Sequence, residues 1–236
     1  MHRPDDGNRA IGDMFSRIAP RYDLLNRLLS AGIDRRWRRA AVAEMAPSFG
    51  GRRLDLATGT AEMALEIVRQ KGSSVFVAAA DISLEMMRIG RKKCVKAKAD
   101  DRILFVCAPG ESLPFRDAVF DSACIAFGIR NIADRNLALM EMNRVVRPGG
   151  RVVVLEFSAP GDSIPGKLYA FYFTQILPRI GAIVSGRRDA YYYLPRSVMA
   201  FPKPPEFEQM MLDAGCASVT SRPLTFGIVT LYVGTR

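Results

Sequence analysis

An apolar run, Arg53-Leu54-Asp55-Leu56-Ala57, ends in Thr58-Gly59-Thr60-Ala61-Glu62, and a second, Val75-Phe76-Val77-Ala78-Ala79-Ala80, ends in Asp81. Small residues at the close of a strand let a ligand approach the backbone, and a glycine there takes tight or left-handed conformations cheaply. An acidic side chain about twenty residues on, at the end of the neighbouring strand, is placed to accept the two hydroxyls of an adenosine ribose. The small residues fall as Gly59-x-Ala61-x-x-Ala64, a degraded dinucleotide fingerprint that provides poorly for a pyrophosphate. S-Adenosylmethionine carries no phosphate and is the occupant these residues point to; the competing reading is an ordinary strand-to-helix turn.

Such residues need a parallel sheet to hold them. Apolar runs over 52–57, 75–80, 103–107, 119–126 and 152–157 alternate with helical patterns to about residue 70, over 83–98 and over 136–146, which predicts an α/β fold with helices on both faces. Ser83 reads as a helix N-cap, and Arg147-Pro148-Gly149-Gly150 as a turn feeding the next strand. A helix over 206–214 and two strands, 217–222 and 228–233, follow with no helix between the strands, which predicts a C-terminal antiparallel hairpin at one sheet edge. Residues 8–46 read as a helical lead-in. Residues 161–200, rich in aromatic and aliphatic side chains but broken by Pro178 and Gly181, read as a helical lid over an apolar substrate, a helix pair on a bilayer surface, or core packing.

The 236 residues are accommodated by one domain, 1–236. No apolar run is long enough for a membrane span, and residues 1–7 lack the apolar core of a signal peptide, so the expected compartment is the cytoplasm. Four separated cysteines and one histidine make a zinc cluster or a histidine-based triad untenable, and no metal is expected. The net charge of +10 draws the chain to anionic partners, nucleic acid or phospholipid. Its densest basic clusters, Arg35, Arg36, Arg38 and Arg39 around Trp37 and the run from Arg88 to Lys98, are in the first instance solvated helix faces.

Seven stretches resemble the ubiquinone/menaquinone biosynthesis C-methyltransferase family. They are Leu54-Asp55-Leu56-Ala57-Thr58-Gly59-Thr60, Phe15-x-x-Ile18-Ala19-x-x-Tyr22-Asp23-x-x-Asn26, Ser30-x-Gly32-x-x-x-x-Trp37-Arg38, Leu113-Pro114-Phe115, Phe127-Gly128-Ile129-Arg130-Asn131, Arg147-Pro148-Gly149-Gly150 and Leu155-Glu156-Phe157-Ser158. The resemblance implies a class I methyltransferase sheet and methyl transfer from S-adenosylmethionine to a ring carbon of a reduced, polyprenylated quinone precursor. Carried over by position, Thr60 and Asp81 contact the cofactor, Asp55 and Gly59 shape the first turn, and Pro109 and Gly110 stand where the family holds adenine. Thr58, Ile82 and Ala126 complete the cofactor set. Arg130 and Asn131 stand where the family places its substrate-facing polar pair, and Tyr22, Asn26, Asp189 and Tyr193 are the further substrate contacts expected.

Two departures stand out. Ala61-Glu62 replaces the family's Gly-Asp, and Pro109 brings no hydrogen-bonding side chain to the adenine loop. Ala61 is harmless if its φ is negative and costly if the turn needs a positive one. Arg130 is suited to stabilising a phenolate, with Asn131 at the neighbouring oxygen. The expected partners are a prenylated quinol and an anionic membrane surface met peripherally, with no nucleic acid and with homodimerisation open. Rival readings are a class I enzyme for another aromatic or nucleic-acid acceptor, and a silent scaffold in quinone synthesis. The nucleic-acid reading lacks an Asn/Asp-Pro-Pro-aromatic motif, a Pro-Cys nucleophile and an RNA-binding module.

Overall fold

The computed structural model describes residues 12, 16, 19, 30, 32–45, 51–72, 74–159 and 195–236. After α1 (Asp34–Glu44) come β1 (Gly51–Leu56), α2 (Glu62–Lys71), β2 (Val75–Asp81), α3 (Leu84–Lys96), β3 (Ile103–Cys107) and β4 (Phe120–Ala126). A 3-10 turn (Ile129–Asn131), α4 (Arg135–Val145), β5 (Val146–Phe157), α5 (Pro204–Asp213), β6 (Ser218–Leu224) and β7 (Val229–Thr235) complete it. The seven strands lie in the order β3-β2-β1-β4-β5-β7-β6. β1 to β5 are mutually parallel, and β7 runs antiparallel between β5 and β6.

Residues on alternate sides of each strand feed two apolar layers, as the two-residue period of a pleated strand requires. Val77, Ala79, Cys124 and Val153 pack under α1, α2 and α3, while Leu54, Leu56, Ile125 and Val154 pack under α4 and α5. The expected hairpin is present, with β7 inserted next to β5 and β6 at the edge. The turn expected at Arg147-Pro148-Gly149-Gly150 lies inside β5 instead: Val146 already pairs with Phe120, and the register shifts before Arg151 joins Ser122. A Cβ on Gly150 would fall 2.6 Å from the Asp121 carbonyl oxygen, so a glycine lets this irregular strand stay in the sheet. Within the expected lead-in 8–46, α1 and residues 12, 16 and 19 are helical and most of the rest lies outside the described residues, as does the expected lid 161–200 up to residue 194.

Ala61 has φ 64°, so the turn after β1 needs the left-handed region and the alanine is held there at a cost of about 1 kcal/mol or more. Its buried methyl packs toward α3, where a Cβ added to Gly90 would lie 3.0 Å from Ala61 Cβ and 3.1 Å from the Thr60 carbonyl carbon. Ala61 and Gly90 thus form one packing unit. Gly90→Ala is expected to lose about 1–3 kcal/mol of stability through overpacking, and Ala61→Gly in the same chain to recover part of it; chemical denaturation of the two single variants and the double variant measures the coupling.

Candidate active site

The chain leaves β1 toward β2 and β3, then crosses back to β4 on the other side, and open α/β sheets bind ligands at such a switch point. There, the carboxyl ends of β1, β2 and β4 border an open cleft. Of the residues singled out from sequence, Gly59, Asp81, Ile82, Gly110, Ala126 and Asn131 line it. Asp55, Thr58, Thr60, Pro109 and Arg130 do not. Tyr22, Asn26, Asp189 and Tyr193 lie outside the described residues.

The residues behind the wall hold it in shape. Asp55, fully enclosed in β1, accepts the Thr58 hydroxyl at 2.6 Å and the Cys124 thiol at 3.7 Å. Burial raises its carboxyl to about 6, opposed by the Thr58 hydrogen bond and the charge of Arg38. Asp81 at the end of β2 accepts the Gly59 N–H at Oδ2 and the Ser83 N–H at Oδ1, both at 2.8 Å. Burial pushes its carboxyl up as well, with the Ser83, Gly59 and Ile82 N–H groups holding it back. Thr60 does not face the cleft; its hydroxyl accepts from Lys93 at 3.0 Å, and the same ammonium reaches Glu62 at 2.7 Å. The longer acid at position 62 therefore ties the start of α2 to α3.

Arg130 also sits behind the wall. Its guanidinium donates to the Glu156 carboxylate at 2.5 Å and to the Phe127 carbonyl at 2.8 Å, and lies 5.5 Å from the centre of the Phe157 ring. Nε is buried and has no hydrogen-bond partner among the described residues. A charge compensated in this way differs from the open cation expected beside a phenol oxygen; what it fixes is the Gly128–Asn131 turn against β5, with Glu156 also receiving the Arg130 backbone N–H at 3.4 Å.

Sequence reasoning left out several lining residues. Ser83 and Met86 belong to the capped first turn of α3, where the Ser83 hydroxyl receives the Met86 N–H at 3.3 Å. Phe127 and Gly128 sat inside a quoted motif but without an assigned role. Gly12 and Glu111 carried no signal; Gly12 lines the cleft, and the Ser16 and Ser83 hydroxyls lie 2.8 Å apart.

The lining fits an adenosyl group. Asp81 offers a carboxylate for hydroxyls, Ile82 and Met86 offer apolar faces for a ring, and left-handed Gly59 leaves its backbone open. A Cβ on Gly110 would lie 2.8 Å from Ile132 Cδ1, and one on Gly128 2.6 Å from Ala57 Cβ, so the walls stand at the closest approach their residues allow. Ala57 and Phe127 join Ala61 at positive φ. Strain gathered at one cleft is what a binding site stores.

Strand order, antiparallel finish and a cleft of this lining at the carboxyl edge define a class I, S-adenosylmethionine-dependent methyltransferase. Solved structures share the fold: an S-adenosylmethionine-dependent methyltransferase from Thermotoga maritima has TM-score 0.66 at 19% identity over 95% of this chain and 99% of that one. One from Methanococcus maripaludis has TM-score 0.65 at 15% identity over 94% and 93%. The profile of the ubiE/COQ5 methyltransferase family matches residues 4–236, and the chain belongs to that family. It is 50% identical over 236 residues to the ubiquinone/menaquinone biosynthesis C-methyltransferase UbiE of Geobacter sulfurreducens, covering 100% of this chain and 92% of that one. It is 45% identical over 231 residues to the demethylmenaquinone methyltransferase of Deinococcus radiodurans, covering 98% and 94%.

Two outcomes follow for the groups behind the cleft. A buried acid with a raised pKa keeps its proton in the folded chain between about pH 4 and 6 while the unfolded chain has released it, so Asp55 makes stability fall as pH rises through that window. The loss is complete above the folded pKa and amounts to about 3 kcal/mol. Asp55→Asn is expected to remove that descent, gaining about 2–3 kcal/mol on the native chain between pH 4 and pH 7 in urea titrations; parallel curves would show that Asp55 does not titrate there. Glu156→Ala strands the Arg130 guanidinium and is expected to lower stability by about 3–5 kcal/mol, read as a fall in the urea midpoint.

Proposed function

We propose that the chain transfers a methyl group from S-adenosylmethionine to a ring carbon of a reduced polyprenyl quinone precursor, a demethylmenaquinol or a 2-polyprenyl-6-methoxybenzoquinol. The observation that carries this reading is identity of 45–50% across almost the whole length of relatives named for this chemistry. When bound, S-adenosylmethionine supplies a methyl group on a positively charged sulfur, open to attack by an electron-rich carbon.

The residues proposed to hold the cofactor are Gly59, Asp81, Ile82, Gly110 and Ala126, with Asp81 on the ribose hydroxyls. Asp55, Thr58 and Thr60 act from behind by fixing the turn, and Pro109 through the backbone that leads to Gly110. Asn131, in the cleft wall, is the group we assign to a hydroquinone oxygen, where its amide can donate or accept. A guanidinium is a poor choice of base; we assign Arg130 the positioning of Asn131 through the Glu156 pair, in place of a direct contact with the phenolate. Tyr22, Asn26, Asp189 and Tyr193 remain proposed substrate contacts. Most of the acceleration then comes from holding ring and methyl in line.

A prenylated acceptor resides in a bilayer. No helix among the described residues is long and apolar enough to cross a membrane, and the charge of +10 favours anionic headgroups. Peripheral docking on such a surface is part of the proposal.

The test offers purified protein S-adenosylmethionine with chemically reduced demethylnaphthoquinols and methoxybenzoquinols and follows a ring methyl by mass spectrometry. A methylated product is expected with one or both acceptors. Asn131→Ala is expected to lower turnover by about 10²-fold while leaving cofactor affinity within about twofold, the loss associated with removing one oxyanion donor. No product with either ring, with cofactor binding confirmed, would overturn the acceptor class.

A further inference from the structure

The β6–β7 hairpin turns through Thr225, Phe226 and Gly227, all three at positive φ (47°, 56° and 84°). Two of these residues carry a Cβ, so the turn holds about 1–2 kcal/mol of strain for each, although glycine would relieve both. The result is an aromatic side chain 86% exposed at the tip, more than any other large apolar residue described. A strained backbone that presents a phenylalanine to water conflicts with both local propensity and burial, and such conflicts gather where function requires them.

The tip is fixed firmly. Gly227 and Ile228 donate backbone N–H groups to the Leu224 and Thr225 carbonyls at 3.1 and 3.2 Å, and the indole N–H of buried Trp37 on α1 donates to the Thr225 hydroxyl at 2.8 Å. That last bond sets the first turn of α1 beside the hairpin. Arg35 and Arg36, next to Trp37 in sequence, are exposed and form no ion pair among the described residues, whereas Arg38 and Arg39 pair with Asp34 and Glu66. The hairpin also stands at the substrate end of the sheet. β7 is antiparallel to β5, so it starts where β5 ends, and the Ser158 N–H donates to the Ile228 carbonyl at 3.0 Å.

We infer that Phe226, together with the exposed Arg35 and Arg36 on the helix that Trp37 ties to the hairpin, is the element by which this protein docks on an anionic phospholipid bilayer, the aromatic ring entering the interface and the two guanidinium groups meeting the headgroups. An amphipathic patch of this composition joins apolar insertion to electrostatic attraction. The inference rests on the membrane-borne acceptor proposed above and assigns its docking residues: the carboxyl edge with its cleft faces the bilayer, so a prenylated ring enters without crossing bulk water.

The test uses the full chain and sedimentation with vesicles of phosphatidylcholine, with and without phosphatidylglycerol. Phe226→Ser is expected to weaken partitioning onto the anionic vesicles at least about tenfold. Arg35→Gln with Arg36→Gln is expected to weaken it about 25-fold, and only at low salt. Both variants should methylate a tail-less quinol analogue in vesicle-free buffer as the parent does, while losing turnover on a long-tailed acceptor carried in vesicles. Unchanged partitioning of Phe226→Ser, or a parent protein that methylates the tail-less acceptor but ignores anionic vesicles, overturns the docking surface and leaves the proposed reaction standing. A parent protein that binds anionic vesicles through Phe226 but methylates no quinol overturns the reaction instead.

Discussion

The cleft depends on one hydrogen bond between two strands: the Gly59 N–H, just past the end of β1, donates to the Asp81 carboxylate that closes β2. Because β1 is central and β2 its parallel neighbour, this bond fixes the turn after β1 at the point where the strand order reverses. Ala57, Gly59 and Ala61 all lie at positive φ, and Asp81 in front and Asp55 gripping Thr58 from below add to the backbone bonds from Ala61 N–H to the Thr58 carbonyl and from Thr58 N–H to the Ala80 carbonyl in holding the turn. The same carboxylate that organises the turn is the acceptor proposed for the ribose hydroxyls.

Two buried acids and one buried ion pair carry the polar architecture of this region, and each is compensated differently. Asp55 meets hydroxyl and thiol donors and remains costly to ionise; Asp81 meets backbone N–H groups; Glu156 meets a full positive charge. Neutral donors satisfy an acceptor without cancelling its charge, so burial dominates the first two. A guanidinium cancels the charge as well, which makes the Arg130–Glu156 pair a clamp on the segment that delivers Asn131 to the cleft.

At the surface the fold separates charge by use. The arginines of α1 differ within one turn: Arg38 is buried over the Phe127 ring at 5.3 Å, Arg39 reaches Glu66, and Arg35 and Arg36 are exposed to solvent. A basic cluster that reads as one feature in the sequence is thus divided into packing, pairing and presentation by the helical period and by what each face meets.

By itself the sequence determined the α/β alternation, the antiparallel finish and the family, because strand and helix periods, turn residues and motif order are local in the chain. It also placed Gly59 and Asp81 correctly at strand ends that face one another, since that juxtaposition is fixed by parallel pairing. Tertiary structure decided what depends on neighbours far along the chain. Thr60 and Arg130 look like ligand contacts in a motif; in the structure each meets a donor or charge distant in sequence, Lys93 and Glu156, and neither is among the residues that line the cleft. Ala61 could be judged only by its φ, and the Pro-Gly-Gly run only by the strand that accepts it. Phe226 is an ordinary turn residue in sequence; in the structure it is the most exposed large apolar side chain described, on a tip whose Thr225 is held by Trp37 from 188 residues away.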